Sequence, residues 1–399
     1  MRMRLALALT SVLLVGVTVP AWATLSDLPG VPGQVADDGP LAPTPLCQTE
    51  GGEFGTASVG GPGFRVGTYN VLHTQDPDGN PTAPQRIGML ADAIEQSGAD
   101  ALGLQEVAKS ATLASLDTDD DGVDGLMVEL IAQRLATTTG DDWSWCWFAS
   151  NVHVPLEPEP NPGGGGGPLT ELATFGGGQQ TGNGNEFREG VAILSRYPIA
   201  SPTVKRLSLR SHEALFCEDV DPLGCQFAVA FDSRVIMHGV IQAPSGPVDL
   251  YTSHLAHGVT SESDDTKARQ ISEGLEHIAA TEDPTTPTFF VGDFNTDATV
   301  EPDAARYETI LAAGFTDSYA ASAHDLNDPA GTSSQNVVSE VLEVDHTIDY
   351  VFAKRLGLGC AATYGDIIGN TRALRLDAPG FVWPSDHMGV VTTFACGIS

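Results

Sequence analysis

From Phe64 onward the chain alternates many short apolar runs with a few amphipathic stretches, and this rhythm limits the fold more than any other feature. FRVGTYNV, ALGLQEV, WSWCWF, VAILS, RVIMHGVI, VDLYTS, TFFVGDF, TIDYVFA and MGVVTTFA are strand-length and rich in β-branched and aromatic residues. Helical spacing is rarer. It appears at Ile87, Leu90, Ala91 and Ile94, at Leu126, Leu130, Ile131 and Leu135, from Lys267 to Ala279, and near Ala304 to Ala312. Many strands with few helices predict an α/β fold in which two mixed sheets pack face to face with helices outside. One domain, residues 64–396, accommodates the whole pattern, and no internal repeat divides it.

The flanking segments read differently. Arg2 and Arg4 precede the apolar run Leu5 to Val19, and Ala21-Trp22-Ala23 gives a small-x-small cleavage pattern. Residues 1–23 are therefore expected to be an export signal, and the run is shorter than the ~20 apolar residues a spanning helix needs. Residues 24–63 form a Gly-, Pro- and acid-rich extension without periodicity, and residues 155–187 a Gly/Pro-rich insertion containing EPEPNPGGGGGP. An exported chain meets oxidising conditions, which favours pairing of the six cysteines. Sequence leaves the connectivity open; one of the arrangements staples Cys217 to Cys225, ties the last strands through Cys360 and Cys396, and so leaves Cys47 with Cys146. The net charge of −33 argues against a broad basic face for gripping polyanions.

The apolar runs repeatedly end in a carboxylate, an amide or an imidazole. Asn70 follows VGTY, Glu106 follows LGLQ, and His254 follows LYTS; Asp293 and Asn295 follow FFVG, Asp349 lies in TIDYVF, and Asp386-His387 precede MGVV. Strand ends gathered at one edge of a sandwich would form a single cleft. Oxygen ligands suit hard divalent ions, and a positioned base beside such an ion is what phosphate-ester cleavage requires.

With GTYNVL, GLQEV, REGVAILSRYPI, YTSHLAHG, VGDFNTD, TIDYVF and PSDHMGV in this order, the sequence resembles the endonuclease/exonuclease/phosphatase superfamily, of deoxyribonuclease I type. The resemblance implies a four-layer α/β sandwich and a hydrolase dependent on magnesium, or on manganese or calcium. It assigns Glu106 as principal metal ligand, with Asp386 beside it and Asn70 contacting metal or phosphate. Asp293 orients or deprotonates the attacking water, Asn295 serves the phosphate, and His387 is held and kept cationic by Asp349. Glu189 and His254 resemble a second such pair. Leu72 departs from branches that carry an acidic ligand two residues after the asparagine, which puts a second metal there in doubt.

Taken singly, each of these residues also has a structural reading as a turn, cap or solvated side chain. DTDDDGVDG offers Asp117, Asp119 and Asp121 as the start of a structural calcium loop, although the chelating glutamate position holds Val128 and Glu129 falls one place late. For the substrate, nucleic acid is favoured, with Lys205, Arg206, Arg210, Lys267 and Arg269 as candidate phosphate contacts. A sphingomyelinase-like phospholipase, touching membrane lipid through Phe381-Val382-Trp383, and a phosphatase are the alternatives. A non-enzyme reading keeps the fold as an exported binding protein. No protein partner is implied.

Overall fold

The computed structural model describes residues 44–48, 63–73, 83–114, 116–117, 125–155, 171–174, 187–208, 213–214, 229–230, 234–257, 261–325, 327–333, 336–357 and 360–396. The expected leader, most of the extension and of the Gly/Pro-rich insertion, Arg210, Cys217, Cys225, Asp119 and Asp121 lie outside them. All described residues belong to one unit, Ala42–Ser399.

The principal elements are β1 (Phe64–Asn70), α1 (Ala83–Ser97), β2 (Ala101–Lys109), α2 (Met127–Thr139), β3 (Ser144–Pro155), β4 (Phe187–Ser195) and β5 (Ile199–Arg206). They continue with β6 (Val235–Ala243), β7 (Gly246–His254), α3 (Ser261–Thr281), β8 (Thr288–Asp293), α4 (Asp303–Ala312), β9 (Asp349–Lys354), β10 (Cys360–Ile368) and β11 (Gly389–Cys396). One sheet runs Leu46–Gln48, β3, β4, β2, β1, β11, β10, Ala323–His324, with Glu171–Thr174 added beside β3. The other runs Thr316–Asp317, β9, β8, β7, β6, β5. Both are mixed: β1 pairs β2 and β7 pairs β8 in parallel, while β11 and β9 join them antiparallel.

Alternation along the strands builds the layers. Val66, Ala101, Ile193, Met237, Leu250, Phe289 and Val351 point inward from both sheets and form the central core. Tyr69, Leu102 and Leu104 point outward and meet Ile87, Leu90 and Ile94 of α1 and Ile131 and Leu135 of α2. On the far side Tyr251, Phe290 and Phe352 meet Ile271 and Ile278 of α3 and Ile310 of α4. The result is the expected four-layer α/β sandwich. Each fully buried Leu or Ile of these helices contributes about 1.5–3 kcal/mol.

Local sequence sets the helix ends. Pro84 sits in the first turn of α1, where its missing N–H is not needed, and Gly98 follows the last turn with φ +64°. Gly103 is required by the sandwich itself, because a Cβ there would lie 2.3 Å from Thr252 Oγ1 on the opposite sheet. Cys47 and Cys146 face each other in register and are bonded, as expected, which ties the Leu46–Gln48 strand to β3. Cys360 is also disulfide-bonded, and its backbone lies opposite Cys396.

Candidate active site

Strand polarity explains why distant residues meet. β1, β2, β7 and β8 run in two parallel pairs, so Asn70, Glu106, His254 and Asp293 arrive at their C-terminal ends. β9 and β11 run antiparallel to these neighbours, which brings their N-terminal ends, Asp349 and the preceding Asp386-His387, to the same edge. In register, Asp293 stands between His254 and Asp349.

Asp293 is the centre of the arrangement. Its Oδ2 lies 3.1 Å from Asn70 Nδ2, 3.4 Å from His254 Nε2 and 3.8 Å from His387 Nε2. Its Oδ1 accepts the Asn295 backbone N–H at 2.9 Å, so one oxygen is anchored and the other faces the two imidazoles. Asn70 Nδ2 also donates to Glu106 Oε1 at 2.9 Å, while its Oδ1 accepts the Leu72 N–H. The Asn70 amide therefore bridges two carboxylates as a donor. Asn295 Nδ2 donates to Leu255 O at 3.0 Å, and Asp349 Oδ2 lies 2.9 Å from His387 Nδ1 while accepting the Thr332 hydroxyl at 2.7 Å.

The backbone is bent to make this geometry. Leu72, Glu106 and Asn295 have φ of +50°, +57° and +47°, a region costly for residues with a Cβ and common at functional sites. Glu106 lies where the pairing of β2 with β4 shifts register between Leu104 and Val107. A bulge of this kind re-aims a side chain that regular alternation would send elsewhere.

Several supporting residues carry no motif of their own. Arg86, 1% exposed, donates to the carbonyls of Val71 (2.7 Å), Leu72 (2.6 Å), His73 (3.3 Å) and Pro384 (3.0 Å). It clamps the loop after Asn70 to the segment before Asp386. Ser385 Oγ donates to Asn70 O at 2.7 Å and is in turn approached by the His387 N–H at 3.2 Å. Below them Gln105 spans the two sheets, accepting from Thr68 Oγ1 and donating to Thr252 Oγ1. His73 Nε2 stands 3.8 Å from Glu106 Oε2.

Charge is concentrated and only partly balanced. Burial, and then the nearby Asp349 carboxylate, push Asp293 up to about 7. Burial alone would lower His387, but Asp349, Asp293 and Asp386 hold it well above the ordinary histidine value. Asp386 is raised, first by burial and further by Glu106, against the pull of His387 and Arg86. Carboxylates that burden one another in this way form a donor set suited to a hard divalent ion. Asp293, Asp349 and His387 each offer a ligand atom within 4.8 Å of the others. Asp349 Oδ2 is engaged with His387 Nδ1 while Asp349 Oδ1 has no hydrogen-bond partner, and the Asn70 amide links the Glu106 carboxylate to Asp293. The residues fit a divalent cation.

Asn70, Glu106, His254, Asp293, Asn295, Asp349, Asp386 and His387 lie at this edge, and Glu189, near the start of β4, stands opposite Ala108 of β2 at the same end of the sheet, two positions past Glu106. Lys267 is a correction. Rather than facing a substrate phosphate, its ammonium is buried, 2.9 Å from Asn295 O and 3.0 Å from Asp303 Oδ1, in a network with Asp264 and Arg306. Lys205 is turned to Glu273 O at 3.3 Å, and Arg206 lies over the Phe148 ring. Val382 and Trp383, considered for lipid contact, are buried, and Trp383 Nε1 donates to Ser339 O. Asp117, the described member of the calcium-loop expectation, accepts from Gln133 Nε2.

The fold recurs in solved structures. An endonuclease/exonuclease/phosphatase family protein from Bacteroides thetaiotaomicron superposes with a TM-score of 0.53 at 15% identity, over 89% of this chain and 100% of that one. An endonuclease/exonuclease/phosphatase from Beutenbergia cavernae gives 0.51 at 20% identity, covering 84% and 72%. Sphingomyelinase C from Streptomyces griseocarneus gives 0.51 at 16% identity, covering 83% and 99%. No curated protein matches the chain significantly. The profile of the Endonuclease/Exonuclease/phosphatase family matches residues 67–387, which takes in every strand tip described above, and the chain belongs to that family.

Proposed function

We propose that the chain is an exported, divalent-metal-dependent phosphodiesterase that cleaves its substrate by attack of water, with nucleic acid as the first substrate. One observation carries the catalytic reading: Asp293 Oδ2 is buried among Asn70, His254 and His387 while Asp293 Oδ1 is fixed by a backbone N–H. Glu106 and Asp386 would hold magnesium, manganese or calcium, which when bound supplies positive charge against the phosphate oxygens. Asp293, pushed up to about 7, takes the proton of the attacking water at Oδ2, since a base works best near the operating pH. Asp349 fixes the His387 ring through Nδ1, so that Nε2 faces the phosphate, offsets its charge and delivers a proton to the leaving oxygen. Asn70 and Arg86 keep the two loops in register throughout.

The second imidazole, His254, supports a diester whose leaving alkoxide needs protonation. The buried Lys267 and the charge of −33 weigh against an extended grip on a nucleic-acid backbone. A lipid substrate is the second reading, on one observation. Leu374 and Leu376 are 67% and 86% exposed, at the end of Ala373–Leu374 and just beyond it, in the hairpin with Phe381–Val382 that leads into Ser385. The test is a side-by-side assay on DNA, RNA, sphingomyelin vesicles and a small phosphate monoester, with each metal and with chelator. Turnover of nucleic acid that chelator stops is the expected result. Turnover of sphingomyelin alone would replace the nuclease reading with the lipid one. Folded, metal-supplemented protein that cleaves none of the four would contradict the enzyme reading and favour an exported binding protein.

A further inference from the structure

Behind the Asp349–His387 pair lies a cavity of about 290 Å³ that shares Asp349 and Thr332 with the site but none of Asn70, Glu106, Asp293 or His387. Its lining includes four aspartates, Asp317, Asp325, Asp328 and Asp349, with one histidine and no lysine or arginine. Asp349 is 1% exposed, and its Oδ1 has no hydrogen-bond partner although its Oδ2 serves His387 and Thr332. A buried carboxylate oxygen without a donor is costly, and one that borders a negative cavity is an invitation to a cation. Burial holds Asp317 above the usual aspartate value, and no neighbouring cation offsets it.

The shape of the cavity selects the kind of cation. Among the described residues, three ligand atoms come within 4.8 Å of one another only at Asp293, Asp349 and His387, so the cavity aspartates do not close around a bare metal ion. The remaining wall is apolar and aromatic, from Ile367, Val390, Tyr319 and Tyr350. Tyr319 holds Asp328 through its hydroxyl at 2.7 Å, placing an aromatic ring beside a carboxylate. Carboxylates for charge, rings for a diffuse cation and aliphatic wall for its carbons are the complement of an organic ammonium ion. We propose that this cavity binds a small alkylammonium ion, with its charge against Asp349 and Asp328 and its carbons against Ile367, Val390 and the Tyr319 ring. Because the ligand and His387 share one carboxylate, occupancy of the cavity braces Asp349 from the side away from the imidazole.

The proposal does not depend on the catalytic reading, since binding is measured without turnover. Isothermal titration of the full chain with tetramethylammonium chloride should show saturable one-to-one binding with a Kd on the order of 1 mM. The uncharged tert-butyl alcohol, of similar shape, should not bind. Asp328→Asn and Tyr319→Phe, each checked for an unchanged melting temperature, should each weaken binding about tenfold, and Glu106→Gln should leave it unaltered. Absence of saturable heat, equal binding of the neutral alcohol, or binding insensitive to both cavity variants would overturn the proposal. So would calcium binding lost in Asp328→Asn in a protein that ignores the ammonium.

Discussion

Two of the buried aspartate–histidine pairs among the described residues have nearly the same contact distance. His387 Nδ1 meets Asp349 Oδ2 at 2.9 Å, and His238 Nε2 meets Asp249 Oδ1 at 2.8 Å. Their surroundings differ. His238 is stacked on Tyr251, with centroids 4.2 Å apart and planes 9° apart, and the other oxygen of Asp249 accepts the Asp283 N–H. That pair spans β6 and β7 within one sheet and is closed by its own neighbours. His387 instead lies at the sheet edge, where Asp293 and Asp386 add charge and Asp349 Oδ1 has no donor. A hydrogen-bonded pair alone is therefore no sign of catalysis; what sets His387 apart from His238 is its placement at converging strand ends, with surplus charge.

The largest expected effect separates the two pairs. His387→Ala should lower kcat by about 10²–10⁴-fold, while His238→Ala keeps kcat within about twofold. The latter should instead cost about 1–3 kcal/mol of stability, because Asp249 is left buried without its partner. Comparable losses of kcat in both variants, at matched folding, would break the distinction.

A smaller effect is expected at Arg86. Arg86→Lys should lower stability by about 2–3 kcal/mol, since a compact ammonium cannot reach four carbonyls placed for a planar guanidinium. Thermal denaturation checks this, and the variant should lose kcat as well, because the clamped loops carry Asn70 and Asp386. A fully stable and active Arg86→Lys protein would remove the clamp from the account.

The smallest effect is in pH dependence, where the two regions should slope in opposite directions. Near His238, burial first, and then Lys205 and His238, push His277 down to about 4. The unfolded chain then binds more protons than the folded one between about 4 and 6.5, so this contribution is complete above 6.5 and is lost as pH falls. At the site Asp293 is pushed up to about 7, so the metal-free folded protein holds more protons between about 4 and 7, and stability declines as pH rises through that window. His277→Gln should flatten the first slope and Asp293→Asn the second in denaturation series across pH. Unchanged slopes in both variants would count against the electrostatic difference.

Much of this was legible in the sequence for a simple reason. Each principal site residue stands beside an apolar strand run, after it as in FFVG followed by Asp293 or before it as in Asp386-His387 and MGVV, so one linear pattern marks both the element and the chemistry. The residues that support the site leave no such mark. Arg86 is one basic position on an amphipathic helix, and only the tertiary fold brings four carbonyls around it. Gln105 belongs to a buried strand, where nothing local shows that it will bridge two sheets. Thr332 lies in an irregular connection, where no periodic pattern shows that its hydroxyl will turn back to Asp349. Lys267 misleads for the same reason: a lysine on a polar helix reads as solvated, yet Asp264 and Asp303 close over it. Trp383 follows a short hairpin strand and packs into the core rather than toward a surface.

The central proposal is that side chains from six separate strand ends converge on one site in which Glu106 and Asp386 hold a divalent cation. Anomalous diffraction from crystals soaked in manganese tests it without any choice of substrate. The account predicts a single strong peak about 2–2.5 Å from carboxylate oxygens of both Glu106 and Asp386, weakened in Glu106→Gln. Manganese bound elsewhere, with no density near these two residues in well-ordered crystals, would contradict it.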